Sequence, residues 1–372
     1  MKWIKLYAYW GKNLGDDLMI EILLKRYPDF MFYSDDSTLS NQFIKFSNFR
    51  NRHFYYKKYS KLNKIVNLVT LYKKEGVFFD KLFDRLDKKC ICSVYIGGSL
   101  YMQYSEKKSW VEDKIRQEEK KLCASPLYII GANFGPIKTE EYLAAYKEYF
   151  LQCGGISFRD KASYSLFSKL PNIQYAPDVV FNLKNSEKEN LKNNKVLISV
   201  INVRDKKEIC KYADDYERFI ILICRQCLLL SKIPVLVSFC EVEGDETAIQ
   251  VISDKLNDEY KQKVEYLLYN GENIDVILHE FQKAEMIIAT RFHAMVLAIL
   301  YGKNFWAISY NEKVKNVLED IGSNRFCTLD NLNTIHMDEI FTDNNNLNLN
   351  KYIKDAERQF KQLDEYLTGR RF

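Results

Sequence analysis

Short apolar runs of strand length alternate along the chain with longer stretches whose apolar positions recur every three or four residues, a pattern that predicts strands alternating with helices. In the first half, WIKLYAYW (3–10) reads as a strand, GKNLGDD (11–17) as a loop and 18–27 as a helix. SVYIGGSLY (93–101), PLYIIGANFGP (126–136) and GISFRD (155–160) read as strands running into turns, followed by a helix over 161–170 and by IQYAPDVVF (173–181). The polar segment 182–195 reads as a linker. Beyond it the strands VLISVINV, PVLVSFC, VEYLLY, EMIIAT and FWAISY alternate with helices over 207–231, 245–256, 274–284, 292–301 and 312–321. An Asn-rich loop over 343–350 precedes a final amphipathic helix over 351–367. The Lys-, Tyr- and Phe-rich stretch 35–89 is assigned to neither helix nor loop.

Such alternation implies an α/β chain with parallel sheets covered by helices on both faces. The expected organisation is two Rossmann-like domains facing a cleft, over residues 1–183 and 195–342, with a C-terminal helix over 351–368 packing back on the first domain. In open α/β sheets ligands sit beyond the carboxyl ends of the strands, so functional residues are sought directly after strands.

Composition narrows the class. With 47% hydrophobic and 28% charged residues, the 372-residue chain has ample material for a folded core, which excludes a disordered protein. The net charge of +5 is spread over the whole length, which argues against a nucleic-acid partner, because such proteins concentrate their cations on one patch. The nine cysteines lie mostly in apolar runs and read as free thiols of a reducing compartment. Cys224 and Cys227 have CxxC spacing, but they fall inside an apolar helix, and no second pair completes a zinc site. No signal peptide opens the sequence, and the longest apolar run, 219–230, is far short of a membrane span. A cytoplasmic protein is expected. The basic, aromatic stretch 45–74 suits a peripheral contact with anionic headgroups at the inner membrane face, or else a solvated helix pair with a buried aromatic face.

Five loops carry candidate chemistry. In GKNLGDD the glycines allow close backbone approach, and Asn13, Asp16 and Asp17 suit sugar hydroxyls or a general base; the other reading makes an Asp the cap of the following helix. Gly97, Gly98 and Tyr101 in IGGSLY, and Asn133 in GANFGP, follow apolar strands and make a plausible acceptor rim. Arg159 in SFRD is an anion clamp or the partner of a nearby carboxylate. In TRFHAMVLAILYG, Arg291, Phe292 and His293 stand where a strand meets an apolar helix. Cations at the positive end of a helix are locally unfavourable, which marks an anion site; alternatively His293 packs as a core imidazole. Lys313, opening the helix after FWAISY, adds a further positive charge. None of these residues has metal-ligand spacing, and GxGxxG, Walker and nucleophile-elbow motifs are absent.

Taken in order, the segments GKNLGDDLM, YIGGSL, IIGANFGPI, SFRDKASYSL with APDVVF, and TRFHAMVLAILYGKNFWAISYNEKVKNVLEDIG resemble the polysaccharide pyruvyl transferase family, from Gly11 to Gly322. Two glycines stand in YIGGSL where the family has three, and TRFHA replaces a Ser/Arg/Leu/His form. The resemblance implies a fold similar to the GT-B glycosyltransferases, and transfer of a pyruvyl group from phosphoenolpyruvate, a co-substrate rather than a cofactor, to two hydroxyls of a sugar or lipid-linked saccharide. A cyclic ketal forms and phosphate leaves. Arg159, Arg291 and His293 are then donor contacts, joined by Phe292 and Lys313. His293 is the expected acid or phosphate contact, and Asp16 or Asp17 the expected base, with Asn13, Gly97, Gly98, Tyr101 and Asn133 beside the acceptor. No metal is implied. The competing readings are a glycosyltransferase of the same fold using a nucleotide-sugar donor, and a non-catalytic carbohydrate-binding protein. Against the first, Glu319 and Asp320 read as solvated helix residues rather than ribose contacts.

Overall fold

The computed structural model describes residues 2–36, 41–52, 84–122, 125–183, 193–342 and 349–369. His53, Cys123, linker residues 184–192, Asn-rich residues 343–348 and most of the basic stretch proposed to contact a membrane lie outside the described residues.

Seven strands form the first sheet: β1 (Lys2–Tyr7), β2 (Phe30–Ser34), β3 (Phe49–Asn51), β4 (Cys90–Ile96), β5 (Leu127–Ala132), β6 (Gly155–Phe158) and β7 (Ile173–Tyr175). Six form the second: β8 (Lys195–Ser199), β9 (Ile233–Val237), β10 (Glu265–Leu267), β11 (Met286–Ala289), β12 (Asn304–Ser309) and β13 (Phe326–Thr328). The strand orders are β3-β2-β1-β4-β5-β6-β7 and β10-β9-β8-β11-β12-β13, with every pairing parallel. β5 and β11 are buried along their whole length, as strands covered on both faces must be. The order reverses between β1 and β4 in one sheet and between β8 and β11 in the other. These are the switch points beside which such sheets bind ligands. GKNLGDD and IGGSLY follow β1 and β4, and TRFH follows β11.

Several boundaries differ from expectation. The first helix begins at Leu14, not 18, because Asn13 caps it, so both aspartates lie in its first turn. The helix expected over 207–231 is confined to Ala213–Leu229, and that over 161–170 ends at Phe167. The final helix is two helices, Asn350–Asp355 and Lys361–Thr368, separated by a 3-10 turn. Strands β2, β3 and β13 and the helices Lys108–Glu119 and Glu140–Leu151 add to the expected elements.

The two sheets are joined by one apolar element. In the helix Phe292–Leu300 every residue except His293 is buried, and it packs both on its own sheet and on the helix Leu14–Arg26. The chain end also reaches the first sheet. Gln359 accepts from the Gly131 amide at 3.0 Å and donates to the carbonyls of Phe158 at 3.4 Å and Ala176 at 2.6 Å. Asp364 accepts from Arg26 Nη2 at 2.6 Å and from the Tyr27 hydroxyl at 2.7 Å. Among the described residues no helix is long and apolar enough to cross a membrane.

Candidate active site

The first wall of the cleft begins where β1 turns into the helix Leu14–Arg26. Asn13 Oδ1 accepts the Gly15 amide at 3.1 Å, so this side chain serves as a helix cap. The Leu14 amide donates across to the Phe239 carbonyl at 2.9 Å, drawing the loop after β9 against the first domain. The two aspartates then diverge. Asp17 is fully buried and accepts the Tyr269 hydroxyl at 2.6 Å, a bond between domains. Asp16 is only partly buried and stands among His293, Arg159, Lys313 and Glu243. Burial pushes its carboxyl above the usual range although His293, Arg159 and Lys313 pull the other way. Of the pair, Asp16 is the one in the cleft.

Glycines clear space for the ions. A Cβ on Gly15 would run into the His293 ring, and one on Gly98 into the Arg159 guanidinium. Gly97, at φ +154, turns the chain beside Asp16. Tyr101 is a correction: it is fully buried, its ring 5.1 Å from Tyr146 and 5.2 Å from Phe150. That aromatic cluster is core, and it leaves no edge for an acceptor.

Arg159, after β6, is 2% exposed and held on three sides. It donates to Asp178 at 2.9 Å and to Asn133 Oδ1 at 2.7 Å, and its guanidinium carbon lies 4.0 Å from the centroid of the Phe292 ring in the other domain. Asp178 also faces His293 Nε2 at 3.8 Å. Burial alone would raise the Asp178 carboxyl, but His293, Arg159 and the Val180 amide together hold it well below the usual range. Sequence reading missed this carboxylate, although it stands in APDVVF.

The second wall is built on β11 and its helix. Ser199 Oγ accepts the amides of Thr290 and Arg291 at 2.9 and 3.0 Å, fixing the turn. Arg291 is also engaged: Nε donates to Asp245 Oδ2 at 2.9 Å, Nη2 to Asp245 Oδ1, and Nη1 to Glu243 Oε2 at 2.7 Å. Both carboxylates come from the loop and helix start after β9, too far along the chain for spacing to announce them. Glu243 is brought down to about 2, because Arg291 and Lys206 outweigh its burial. Phe292 is buried, its ring beneath the Arg159 guanidinium and edge-on to the His293 ring at 5.2 Å. His293 Nε2 is buried without a hydrogen bond. Lys313 Nζ reaches over the cleft to Ser99 Oγ at 3.3 Å.

Neither helix facing the cleft from this side, Phe292–Leu300 or Glu312–Asp320, has a side-chain cap at its N-terminus. Asp320 is a further correction. It is not a solvated helix residue but accepts the Lys161 amide of the first domain at 3.0 Å. The cleft thus combines uncapped helix N-termini, a lysine, an imidazole nitrogen that faces Asp178 without a hydrogen bond, and a carboxyl raised above its usual range. Such a set can hold a small polyanion and move protons beside it.

Two solved structures share this architecture. HepE from Anabaena, in complex with UDP and glucose, superposes with a TM-score of 0.54 at 12% identity, covering 99% of this chain and 100% of that one. The UDP-GlcNAc 2-epimerase of Methanocaldococcus jannaschii, in complex with UDP-GlcNAc and UDP, gives 0.56 at 12% identity, covering 98% and 99%. Both are similar in fold, which is GT-B. No curated protein matches the sequence. Residues 13–312 match the family described as polysaccharide pyruvyl transferase, a span that runs from the Asn13 cap through both walls of the cleft as far as the helix carrying Lys313. With that match and the GT-B architecture together, the chain belongs to the polysaccharide pyruvyl transferase family.

Proposed function

We propose that the protein transfers the pyruvyl group of phosphoenolpyruvate to two hydroxyls of a saccharide, free or lipid-linked, releasing phosphate and leaving a cyclic ketal. The observation that carries this reading is His293 Nε2, buried and without a hydrogen bond although Asp178 stands 3.8 Å away, at the mouth of an uncapped helix. A buried polar atom without a hydrogen bond costs about 1–3 kcal/mol unless a ligand completes it, and the helix N-terminus favours an anion as that ligand. Phosphoenolpyruvate carries a phosphate and a carboxylate close together, matching His293 and Lys313 on one wall.

In this reading His293, Lys313 and the amides opening the helix Phe292–Leu300 contact the donor. Arg159 and Arg291 contribute their field, while their own bonds go to Asp178, Asn133, Asp245 and Glu243. In the reaction the methylene carbon of the donor takes a proton, and one sugar oxygen bonds to the neighbouring carbon. The second sugar oxygen then bonds to that carbon as its bond to the phosphate oxygen breaks. Of the two hydroxyl protons, one ends on the new methyl group and one leaves with phosphate. Gly97, Gly98 and Asp16 border the space left for the acceptor.

Thermal-shift titration with phosphoenolpyruvate against a panel of nucleotide sugars tests this. A ligand at a hundred times its Kd adds about 2.7 kcal/mol. The expected result is a shift with phosphoenolpyruvate that is lost in His293→Ala. A shift with a nucleotide sugar alone overturns the reading in favour of glycosyl transfer.

A further inference from the structure

The loop after β7 supplies a carboxylate that the donor contacts leave unused. Asp178 is 2% exposed, and its two oxygens have different neighbours. Oδ1 accepts the Val180 amide at 2.8 Å and so caps the 3-10 turn Val179–Asn182. Oδ2 accepts Arg159 Nη1 at 2.9 Å and stands 3.8 Å from His293 Nε2 in the other domain. Arg159 is itself tied to Asn133 at 2.7 Å and lies over the Phe292 ring. Asp178 therefore cannot turn away from the imidazole without breaking two bonds.

His293 is fixed from another side. Its Nδ1 is the atom that a Cβ on Gly15 would meet first, so the two ring nitrogens have different surroundings. Nδ1 lies against the first turn of the helix Leu14–Arg26, and Nε2 faces Asp178. The 3.8 Å gap is beyond hydrogen-bond reach, and Nε2 is left without a bond. It is well inside the range over which a buried carboxylate acts on a proton.

A neutral imidazole carries one proton, and the neighbours of its nitrogens decide which of them holds it. An anion beside Nε2 favours the proton there and leaves the lone pair on Nδ1. The charged groups gathered here are Asp178 and Arg159 from the far loops of the first domain, Asp16 from its first helix, and Lys313 and Glu243 from the second domain. The two carboxylates acting on the ring differ. Burial raises Asp16, next to Gly15 in the chain, above the usual range, whereas Asp178, despite its burial, is held below that range by His293 and Arg159. The firmer anion is the one on the Nε2 side.

We propose that Asp178 is a positioning residue that keeps the imidazole proton on His293 Nε2, so that this atom meets phosphoenolpyruvate as a hydrogen-bond donor. The inference rests on the pyruvyl-transfer reading. A bare lone pair on Nε2 would repel the phosphate or carboxylate of the ligand, and an N–H attracts it. The separation suits the role: Asp178 is near enough to select the tautomer and too far to take the bond itself, which leaves the N–H for the ligand. An amide in place of the carboxylate reverses the choice. Its oxygen goes to the Val180 amide, and its NH2 group then faces Nε2, which answers with a lone pair.

Nitrogen-15 NMR of the full chain, labelled at its four histidines, tests this, with the His293 signals identified by their loss in His293→Gln. At alkaline pH, where imidazoles are neutral, the wild type should carry the proton on Nε2, and Asp178→Asn should move it to Nδ1. Calorimetry should show phosphoenolpyruvate affinity lowered at least about tenfold in Asp178→Asn, the loss of one hydrogen bond to a charged group. Asn133→Ala loosens Arg159 but leaves Asp178, and should keep the proton on Nε2; this separates tautomer control from mere support of the arginine. A wild type with the proton on Nδ1, or shared evenly, overturns the proposal, and that spectrum decides alone if Asp178→Asn fails to fold. An unchanged tautomer in a folded Asp178→Asn overturns it as well. A wild type that does not bind phosphoenolpyruvate overturns pyruvyl transfer, while the spectra still report whether Asp178 places the proton.

Discussion

His293 occupies the space that the missing side chain of Gly15 leaves. The imidazole lies against the first turn of the helix Leu14–Arg26 so closely that no Cβ fits between them, so the ring keeps its place only while residue 15 has no side chain. Alanine is the better helix former by about 1 kcal/mol, so Gly15→Ala would stabilise the helix in isolation. In the protein it should displace the ring and weaken phosphoenolpyruvate binding at least about tenfold, measured by calorimetry, with the far-ultraviolet dichroism unchanged.

Arg291 and its carboxylates form a buried unit. Removing the arginine strands Asp245, which is fully buried. Arg291→Ala should cost about 3–5 kcal/mol in urea unfolding, and Arg291→Met/Asp245→Leu should recover only part of that loss, because Asp245 Oδ2 also accepts the amides of Phe239 and Cys240 at 2.9 and 3.0 Å. Arg291→Lys should rescue little, since an ammonium cannot reproduce the two-pronged contact. A double variant as unstable as the single one would mean that the two amides, not the stranded charge, carry the loss.

The bond between Asp17 and Tyr269 joins the domains away from His293 and Lys313. Tyr269→Phe should lower stability by about 1–3 kcal/mol and leave phosphoenolpyruvate affinity unchanged. An equal loss of affinity would show that the joint and the binding site are one cooperative element.

Acid should act on the site with two opposite signs. Glu243 is held down to about 2 in the fold, below its unfolded value of about 4.3. Its stabilisation is therefore complete above that value and lost as pH falls through the window between them. Asp178, also depressed, behaves in the same direction. Asp16 is raised, so its ionisation opposes folding, and the fold gains from this group as pH falls through its folded pKa. Asp16→Asn should accordingly melt higher than the wild type at neutral pH, with the difference shrinking toward pH ~4, and should lose turnover. Differential scanning calorimetry between pH 3 and 8 separates the two signs.

Much of this was legible along the sequence, because buried parallel strands such as LYIIGA and MIIA are uninterrupted apolar runs and the loops with unusual residues follow them. Arg159, Arg291 and Lys313 stand out as cations, and His293 as an imidazole, just after strands. What escaped is non-local. Glu243 and Asp245 meet Arg291 only once β9 and β11 flank β8, and Asp320 meets Lys161 only when the domains face each other. The first helix was placed late because Leu14, which looks like part of a polar loop, is its first residue.

Gln359 has a consequence for how the protein is made. A ribosome releases β5, β6 and β7 long before it reaches the segment that answers the Gly131 amide and the Phe158 and Ala176 carbonyls. Until then the Gly131 amide and the Ala176 carbonyl, beside the loops carrying Asn133, Arg159 and Asp178, depend on water. The first domain emerges first, yet these groups are answered only by Gln359, which follows the whole of the second sheet.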